Sequence, residues 1–231
     1  KGEDGGMRRA AAKALGEIKA PAAVPHLIKA LKDGDEAVRA AAAEALGEIK
    51  SPEAVPYLIE ALKDEDVAVR WTTARALGEI GPEALSHLIQ ALKDGDEAVR
   101  VAAAEALGEI KSPEAVPYLI EALEDEDECV SLAAAEALDE IKSPEAVPYL
   151  IQALKDGDEN VRWAVASALG KIGSAAVTHL VEALREEDAG VRMAAARALG
   201  EIKSPEAVPH LIEALEDEDV FVRREAAWAL G

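Results

Sequence analysis

Apolar and polar positions follow a helical period along this chain, and the pattern itself repeats. In Ser51 to Ile80, Val55, Leu58, Ile59 and Leu62 fall at i, i+3, i+4 and i+7, the spacing of one buried stripe on a first helix, here helix A. Ser51-Pro52-Glu53 opens that helix, with Ser as N-cap and Pro in the first turn, and Leu62-Lys63-Asp64 closes it. Asp66 then stands where the N-cap of a second helix, B, belongs, and Asp35, Asp96, Asp127, Asp158, Asp188 and Asp219 occupy the same place in the other complete copies. On a B helix, Val38, Ala42, Ala45, Leu46 and Ile49 form the stripe that meets helix A. Ala43 and Gly47 lie beside it as a bare flank, against which the next copy packs closely.

A Val-Arg pair or close equivalent followed by Ala-rich sequence recurs with its second residue at Arg8, Arg39, Arg70, Arg100, Ser131, Arg162, Arg192 and Arg223, at spacings of 31, 31, 30, 31, 31, 30 and 31. A fixed period in this range marks a repeat architecture. Short connections make the helix pairs antiparallel, and stacking of pairs predicts an all-α fold, an α-solenoid wound as a superhelix. Residues 1–231 are expected to form a single solenoid of seven helix pairs preceded by one unpaired helix B at 7–18. The two 30-residue spacings occur where Lys-Ser-Pro-Glu shrinks to Gly81-Pro82-Glu83 and Gly173-Ser174, each after a Trp-bearing helix. Trp71 and Trp163 are 92 residues apart, three repeats, as in a duplicated three-repeat block.

With Val38 set to 0°, positions equivalent to Ala37, Ala40, Ala41, Glu44 and Glu48 fall between about 200° and 300°, opposite the buried stripe. This face is expected to be the solvent-exposed concave wall, and most variation between copies lies on it. The Ala40 position reads Arg9, Ala40, Trp71, Val101, Leu132, Trp163, Met193 and Arg224, an apolar run from Trp71 to Met193, with Phe221 and Trp228 on the same face of the last copy. Exposed apolar strips with Trp anchors mark interaction sites. Arg75, Arg197 and Lys171, set among Glu44, Glu105 and Glu136, add the polar groups of a mixed groove suited to a peptide or protein. The alternative is that the strip leans sideways over the small residues of the neighbouring copy and fills gaps.

The run from Ala54 to Ile80 resembles the HEAT-like repeats of the phycobilisome-lyase type, and is similar to the artificial alphaRep scaffold based on them; the resemblance covers essentially the whole chain. It implies that the helix-B face is the recognition surface, carried here by Val67, Ala68, Trp71, Thr72 and Arg75 in the third copy and by Asn160, Trp163, Ala164 and Ser167 in the sixth. It also implies an inter-repeat ladder of Arg and turn Asp residues, from which Ser131 removes a rung, leaving a weaker seam. Binding, not catalysis, is therefore expected. The other readings are a bilin-lyase or chromophore-chaperone component and an engineered or consensus scaffold.

Composition narrows the partners. With 50% apolar but only 3% aromatic residues, the core must be Ala, Leu, Ile and Val. The 46 acidic and 25 basic residues give a charge of −21, which repels nucleic acid and anionic membrane surfaces. No apolar run approaching the ~20 residues of a membrane span stands out, and Lys1-Gly-Glu-Asp-Gly-Gly lacks the apolar core of a signal peptide. A cytoplasmic chain is expected, and the single Cys129 excludes an intrachain disulfide. The acidic turns, such as Glu124 to Glu128, lack the spaced ligands of an EF-hand and are read as caps. His26, His87, His179 and His210 share a helix-A column with Tyr57, Tyr118 and Tyr149, too widely spaced to ligate one ion. None precedes Glu, unlike the His-Glu pairs of the metal-dependent hydroxylases built on such repeats. No cofactor, metal or catalytic residue is expected, and uncapped repeat surfaces at both ends are surfaces for self-association.

Overall fold

A computed structural model describes residues 2–231, and among them the regular elements are helical, with no strand. The chain forms two compact units, one comprising the residues up to Ile110 with Asp127–Ala137, the other Lys111–Glu126 with Leu138–Gly231.

The first unit is built from α1 (Gly2–Glu17), α2 (Val24–Ala30), α3 (Glu36–Ile49), α4 (Val55–Ala61), α5 (Val67–Ile80), α6 (Leu85–Ala91) and α7 (Glu97–Ile110). Odd numbers are B helices and even numbers A helices. Helix α3 packs between α1 and α5, α5 packs on α7, and α2, α4 and α6 each lie on the B helix that follows. Helix α1 begins five residues earlier than expected, at Gly2, with Asp4 and Arg8 paired across one turn at 3.3 Å. Here local pairing and docking outweigh the poor helix propensity of Gly5 and Gly6.

The second unit contains α8 (Val116–Ala122), the end of α9 (Glu128–Ile141), α10 (Val147–Asp156), α11 (Glu159–Ile172), α12 (Val177–Ala183), α13 (Ala189–Ile202), α14 (Val208–Ala214) and α15 (Val220–Leu230). Helices α11, α13 and α15 pack in succession. The stretch Glu159–Ala183 is long and apolar enough, by composition, to cross a membrane, which corrects the sequence expectation. It folds, however, as α11, a 3-10 turn at Gly173–Ala176 and α12. The 14 residues of α11 reach only about 21 Å, against a hydrocarbon core of about 30 Å.

Of the predicted stripes, Val55 and Leu58 on α4, Leu62 at its C-cap, and Val38, Ala42, Ala45 and Leu46 on α3 are buried, while Ile59 and Ile49 are half-buried. The bare flank works at backbone level. A Cβ on Gly47 would stand 2.8 Å from the Cα of Ala76, and Gly16 against Ala45, Gly108 against Ala137 and Gly200 against Ala229 repeat the approach. All seven turn aspartates accept backbone N–H groups at the start of a B helix, as in Asp66 from Ala68 at 2.9 Å.

Helix A departs from expectation at its start. Each copy opens with a 3-10 turn, such as Pro52–Ala54, before the α-helix. Pro56 has no N–H to reach the Pro52 carbonyl, which accepts from Val55 instead. The copies with Ser86 or Thr178 at that place keep the turn, so docking on the B helix enforces it as well. Ser51 makes no side-chain cap bond, whereas Ser112 and Ser204 accept from Glu114 and Glu206 at 3.3 Å.

The B-to-A connections explain the two spacings. In 31-residue copies the chain leaves helix B through a left-handed lysine: Lys19, Lys50, Lys111, Lys142 or Lys203. One residue fewer requires a sharper reversal, at Gly81 (φ 86°, ψ −139°) and Gly173 (φ 84°, ψ −139°), a region open essentially to Gly alone.

Candidate functional site

Two clefts lie on the walls of B helices, one in each unit. In the second unit α11, α13 and α15 enclose about 380 Å³ lined by Glu159, Arg162, Trp163, Met193, Arg197, Phe221 and Arg224, with Ala189, Gly190, Ala194 and Asp219 between them. The Arg197 guanidinium lies over the Trp163 ring at 4.1 Å, and that of Arg224 over Phe221 at 5.1 Å. In the first unit α1, α3 and α5 enclose about 340 Å³ lined chiefly by Arg9, Lys13, Ala37, Ala40, Glu44 and Ala68.

Of the residues singled out from sequence, Val67, Trp71, Arg75, Val101 and Leu132 belong to the first unit. Asn160, Trp163, Ser167, Met193, Arg197, Phe221 and Trp228 belong to the second. Trp71 is 57% exposed, Leu132 60%, Phe221 52% and Trp228 58%, and Val67 is also open. Val101, Trp163 and Met193 are half-buried. The wall is narrower than helical angle alone predicts: Ala41, with Thr72, Ala102, Ala133 and Ala194 in the same column, is buried. Close approach at the Gly flank brings the neighbouring B helix over that column. Asn160 is exposed on the wall.

Charged residues on the wall sort into two arrangements. In the first unit Lys13 pairs with Glu44 at 3.6 Å, and Glu44 accepts from Arg75 Nη2 at 2.9 Å, while the Arg75 guanidinium lies 5.2 Å from the Trp71 ring on its own helix. Farther along, Glu105 is held above the usual carboxylate range, first by partial burial and then by Glu136. In the second unit the Ser167 hydroxyl donates to Asp139 Oδ2 at 3.3 Å, and Lys171 pairs with the same oxygen. In the sequence Ser167 and Lys171 read as separate polar residues of the binding face. With Asp139 they form one cluster, in which Asp139 stands where other copies have Gly and Ser167 and Lys171 come from the following B helix. Also missed was Arg197 covering Trp163 from the next repeat; the signal was the cationic residue at the Glu44 position of the copy after a Trp.

Away from the wall, the Arg-Asp ladder holds successive copies together. Arg39 donates twice to Asp64, at 2.7 and 2.8 Å, and once to the Asp33 carbonyl at 3.0 Å; Arg192 donates to Asp217 at 2.7 and 2.9 Å and to the Glu186 carbonyl at 3.0 Å. Burial pushes the Asp64 carboxyl up, but the bonds from Arg39 and the Asp66 N–H prevail and hold it below the ordinary range. Asp217 is held low chiefly by the Arg192 bond, against burial. At the two short spacings a lysine supplies the rung, Lys63 to Asp94 at 3.0 Å and Lys155 to Glu186, again 92 residues apart. Ser131 Oγ turns to the carbonyl of its own cap residue, Asp127, at 3.4 Å. Cys129 is exposed, and among the described residues no group of three or more His, Cys, Asp and Glu is placed to hold a metal.

Paired helices of constant register, stacked through a Gly-Ala flank and an Arg-Asp ladder, define an all-α repeat protein of the α-solenoid class. The HEAT-repeat pattern matches residues 1–66, 24–89, 55–139, 85–156, 119–190 and 177–231, and the chain belongs to the HEAT-repeat family. Among solved structures it is similar to the CpcE–CpcF complex of phycocyanin lyase from Nostoc sp. PCC7120, at 30% identity over 88% of this chain and 85% of that one, with a TM-score of 0.45. An engineered protein is 28% identical over 96% of this chain and 73% of its own, with a TM-score of 0.42. Importin beta, 20% identical over 96% of this chain and 38% of that one at a TM-score of 0.51, shares the fold. No curated protein matches the sequence.

Proposed function

We propose that this chain is a non-enzymatic scaffold that binds a protein or peptide on the walls formed by its B helices. The observation that carries this reading is the exposure of Trp71, Leu132, Phe221 and Trp228 on those walls, while stripe residues such as Val55, Leu58, Val69 and Leu77 are buried. Away from the walls, Val208 and Ile212 of the last A helix and Leu215 at its C-cap are also open. Large exposed aromatics anchor interfaces because they remove much apolar area from water at little cost in conformational entropy. Turn aspartates such as Asp64 and Asp66 are occupied in the ladder and in capping. The single exposed Cys129 and the absence of a disulfide suit a reducing, cytoplasmic setting.

Replacing Trp71 and Trp163 together by Ala tests the reading. Binding of peptides selected on the wild-type chain is expected to disappear while the helical circular dichroism stays nearly unchanged. Loss of the helical signal would instead identify the two rings as gap-filling core. Light scattering over a range of concentrations tests whether the partner is a second copy. A second reading, a chromophore-handling component, draws on the cleft of about 380 Å³ walled by Trp163 and Phe221, a size suited to a small flat ligand. A shift in tetrapyrrole absorbance on mixing would support it, and an unchanged spectrum would exclude it.

A further inference from the structure

Arg197 lacks the partner that its counterpart has. At the same repeat position in the first unit, Arg75 donates through Nη2 to Glu44, which the preceding B helix supplies. The residue equivalent to Glu44 beside Arg197 is Ser167, and its hydroxyl is committed to Asp139. Arg197 Nε, like Arg75 Nε, is buried with no hydrogen-bond partner, and each faces a carboxylate one turn along its own helix, Glu201 at 3.6 Å and Glu79 at 3.5 Å. The difference is the bond from Nη2 to the preceding repeat, which Arg75 makes to Glu44 and for which Arg197 has no counterpart. Trp163 fixes the guanidinium from one side at 4.1 Å, so the group is oriented but has no acceptor from the preceding repeat. A second arginine, Arg224, lines the same cleft, stacked on Phe221 and 64% exposed, with only a long 3.5 Å contact to Glu225. Of the cleft's two acidic side chains, Asp219 is engaged with the N–H groups of Phe221 and Val222, and Glu159 is exposed at the start of α11; the third arginine of the cleft, Arg162, is paired with Asp188. In a chain of net charge −21, this cleft therefore presents two guanidinium groups without a good acceptor beside an apolar floor of Trp163, Met193 and Phe221.

We infer that this cleft takes an acidic peptide segment: a Glu or Asp whose carboxylate supplies Arg197 with the acceptor that Glu44 gives Arg75, next to an apolar side chain laid on the Trp163–Phe221 floor. Arginine and carboxylate match as a bidentate pair, and such a bond is stronger in a partly desolvated cleft than in water. The inference rests on the reading of the B-helix walls as binding surfaces and gives one of them a ligand chemistry.

The test is selection of a random dodecapeptide display library on the intact chain, followed by calorimetry on three synthetic peptides: the strongest binder and its versions with the acidic residue replaced by Gln and by Lys. The expected consensus is an acidic residue beside an apolar one, with the Gln version weaker by about tenfold or more. Arg197→Gln is expected to erase that discrimination. Ser167→Glu, which builds the missing acceptor into the chain, is expected to weaken the acidic peptide by a similar factor with the fold retained, and so separates loss of the site from loss of structure. A basic or uncharged consensus lost on Trp71→Ala with Trp163→Ala would overturn this inference and leave the binding-wall reading standing. Acidic peptides that bind Arg197→Gln and Ser167→Glu as well as wild type would also overturn it. No enrichment of any sequence would overturn both.

Discussion

The two clefts share a framework and differ in what lines it. In α1, α3 and α5 the lining positions hold Arg9, Ala40, Ala37, Ala68 and Glu44; in α11, α13 and α15 the equivalent ones hold Trp163, Met193, Gly190, Phe221 and Arg197. Beneath both lie the same capping aspartates, the same Gly-to-Ala approach and the same bidentate rungs, Arg39–Asp64 and Arg192–Asp217. In the first unit a Lys13–Glu44–Arg75 run links charges of successive repeats, while in the second Ser167 stands at the Glu44 position and Arg197 has no such link to the preceding repeat. Residues that carry the fold and residues proposed to face a partner therefore sit on different columns of one helix. The wall is free to change without disturbing the stack.

If the framework is common to both units, breaking its rungs must cost each unit the same. Arg39 and Asp64 are each 11% exposed, and Arg192 and Asp217 are 8% and 13% exposed, so removing the cation strands a nearly buried carboxylate. Arg39→Met and Arg192→Met are each expected to cost about 3–5 kcal/mol in urea unfolding. A large loss in one and none in the other would show that the units are built differently. The aspartates of these rungs titrate below the ordinary range in the folded chain. Their stabilisation is thus complete above the unfolded Asp range and lost as pH falls through the lower folded values. Both variants are expected to flatten the acid side of the stability–pH curve.

The short connections give the next largest effect. Gly81 and Gly173 adopt nearly identical backbone angles that a Cβ opposes, although nothing lies within 4 Å of where that Cβ would be. Gly81→Ala and Gly173→Ala are expected to lower stability by about 1–3 kcal/mol each through backbone strain alone. Equal losses would support equivalent roles for the two connections, and a difference would point to context beyond the turn.

The sequence made the framework legible and the site only in outline, for a physical reason. Caps, stripes and the Gly flank depend on neighbours within one or two turns, or on the identical residue in the next copy, so periodicity exposes them. The Asp139–Ser167–Lys171 cluster joins residues 28 and 32 apart that each look like a tolerated substitution alone. Helical angle placed Trp71 and Trp163 on one face but gave no hint that the guanidinium covering Trp163 comes from the following repeat. It also overstated the width of the wall, because the angle of Ala41 says nothing of how closely the next helix approaches.

The two tryptophans sharpen the contrast further. Trp71 is largely exposed under a guanidinium at 5.2 Å from its own helix, while Trp163 is half-buried beneath one at 4.1 Å from the next. Trp71→Ala is expected to change stability by no more than about 0.5 kcal/mol. Trp163→Ala is expected to cost about 1–2 kcal/mol, from lost burial and the cation–π contact. Thermal unfolding of the single variants would check the order, and a reversal would mean that the open ring, not the covered one, is the structural one.

The smallest effect concerns the only like-charged neighbours identified above on a wall, Glu105 and Glu136. Burial and the Glu136 charge together raise the Glu105 carboxyl, so its ionisation opposes folding. Below the ordinary Glu range the group is protonated in both states and costs nothing; as pH rises through its higher folded value the penalty develops and then stays. Glu136→Gln removes the repulsion but not the desolvation. It is therefore expected to stabilise the chain at neutral pH by less than about 1 kcal/mol, solvent screening keeping the gain small. The gain should fade on acidification and shrink in high salt, as a Coulombic term must. The matching change in the second unit, Arg197→Gln, gives up the Trp163 cation–π contact and the 3.6 Å pairing with Glu201, and is expected to cost about 0.5–1 kcal/mol. If Glu136→Gln instead destabilised the chain at neutral pH, the two carboxylates would have to share a proton or bind a cation, and the first wall would be a site of a different kind from the second.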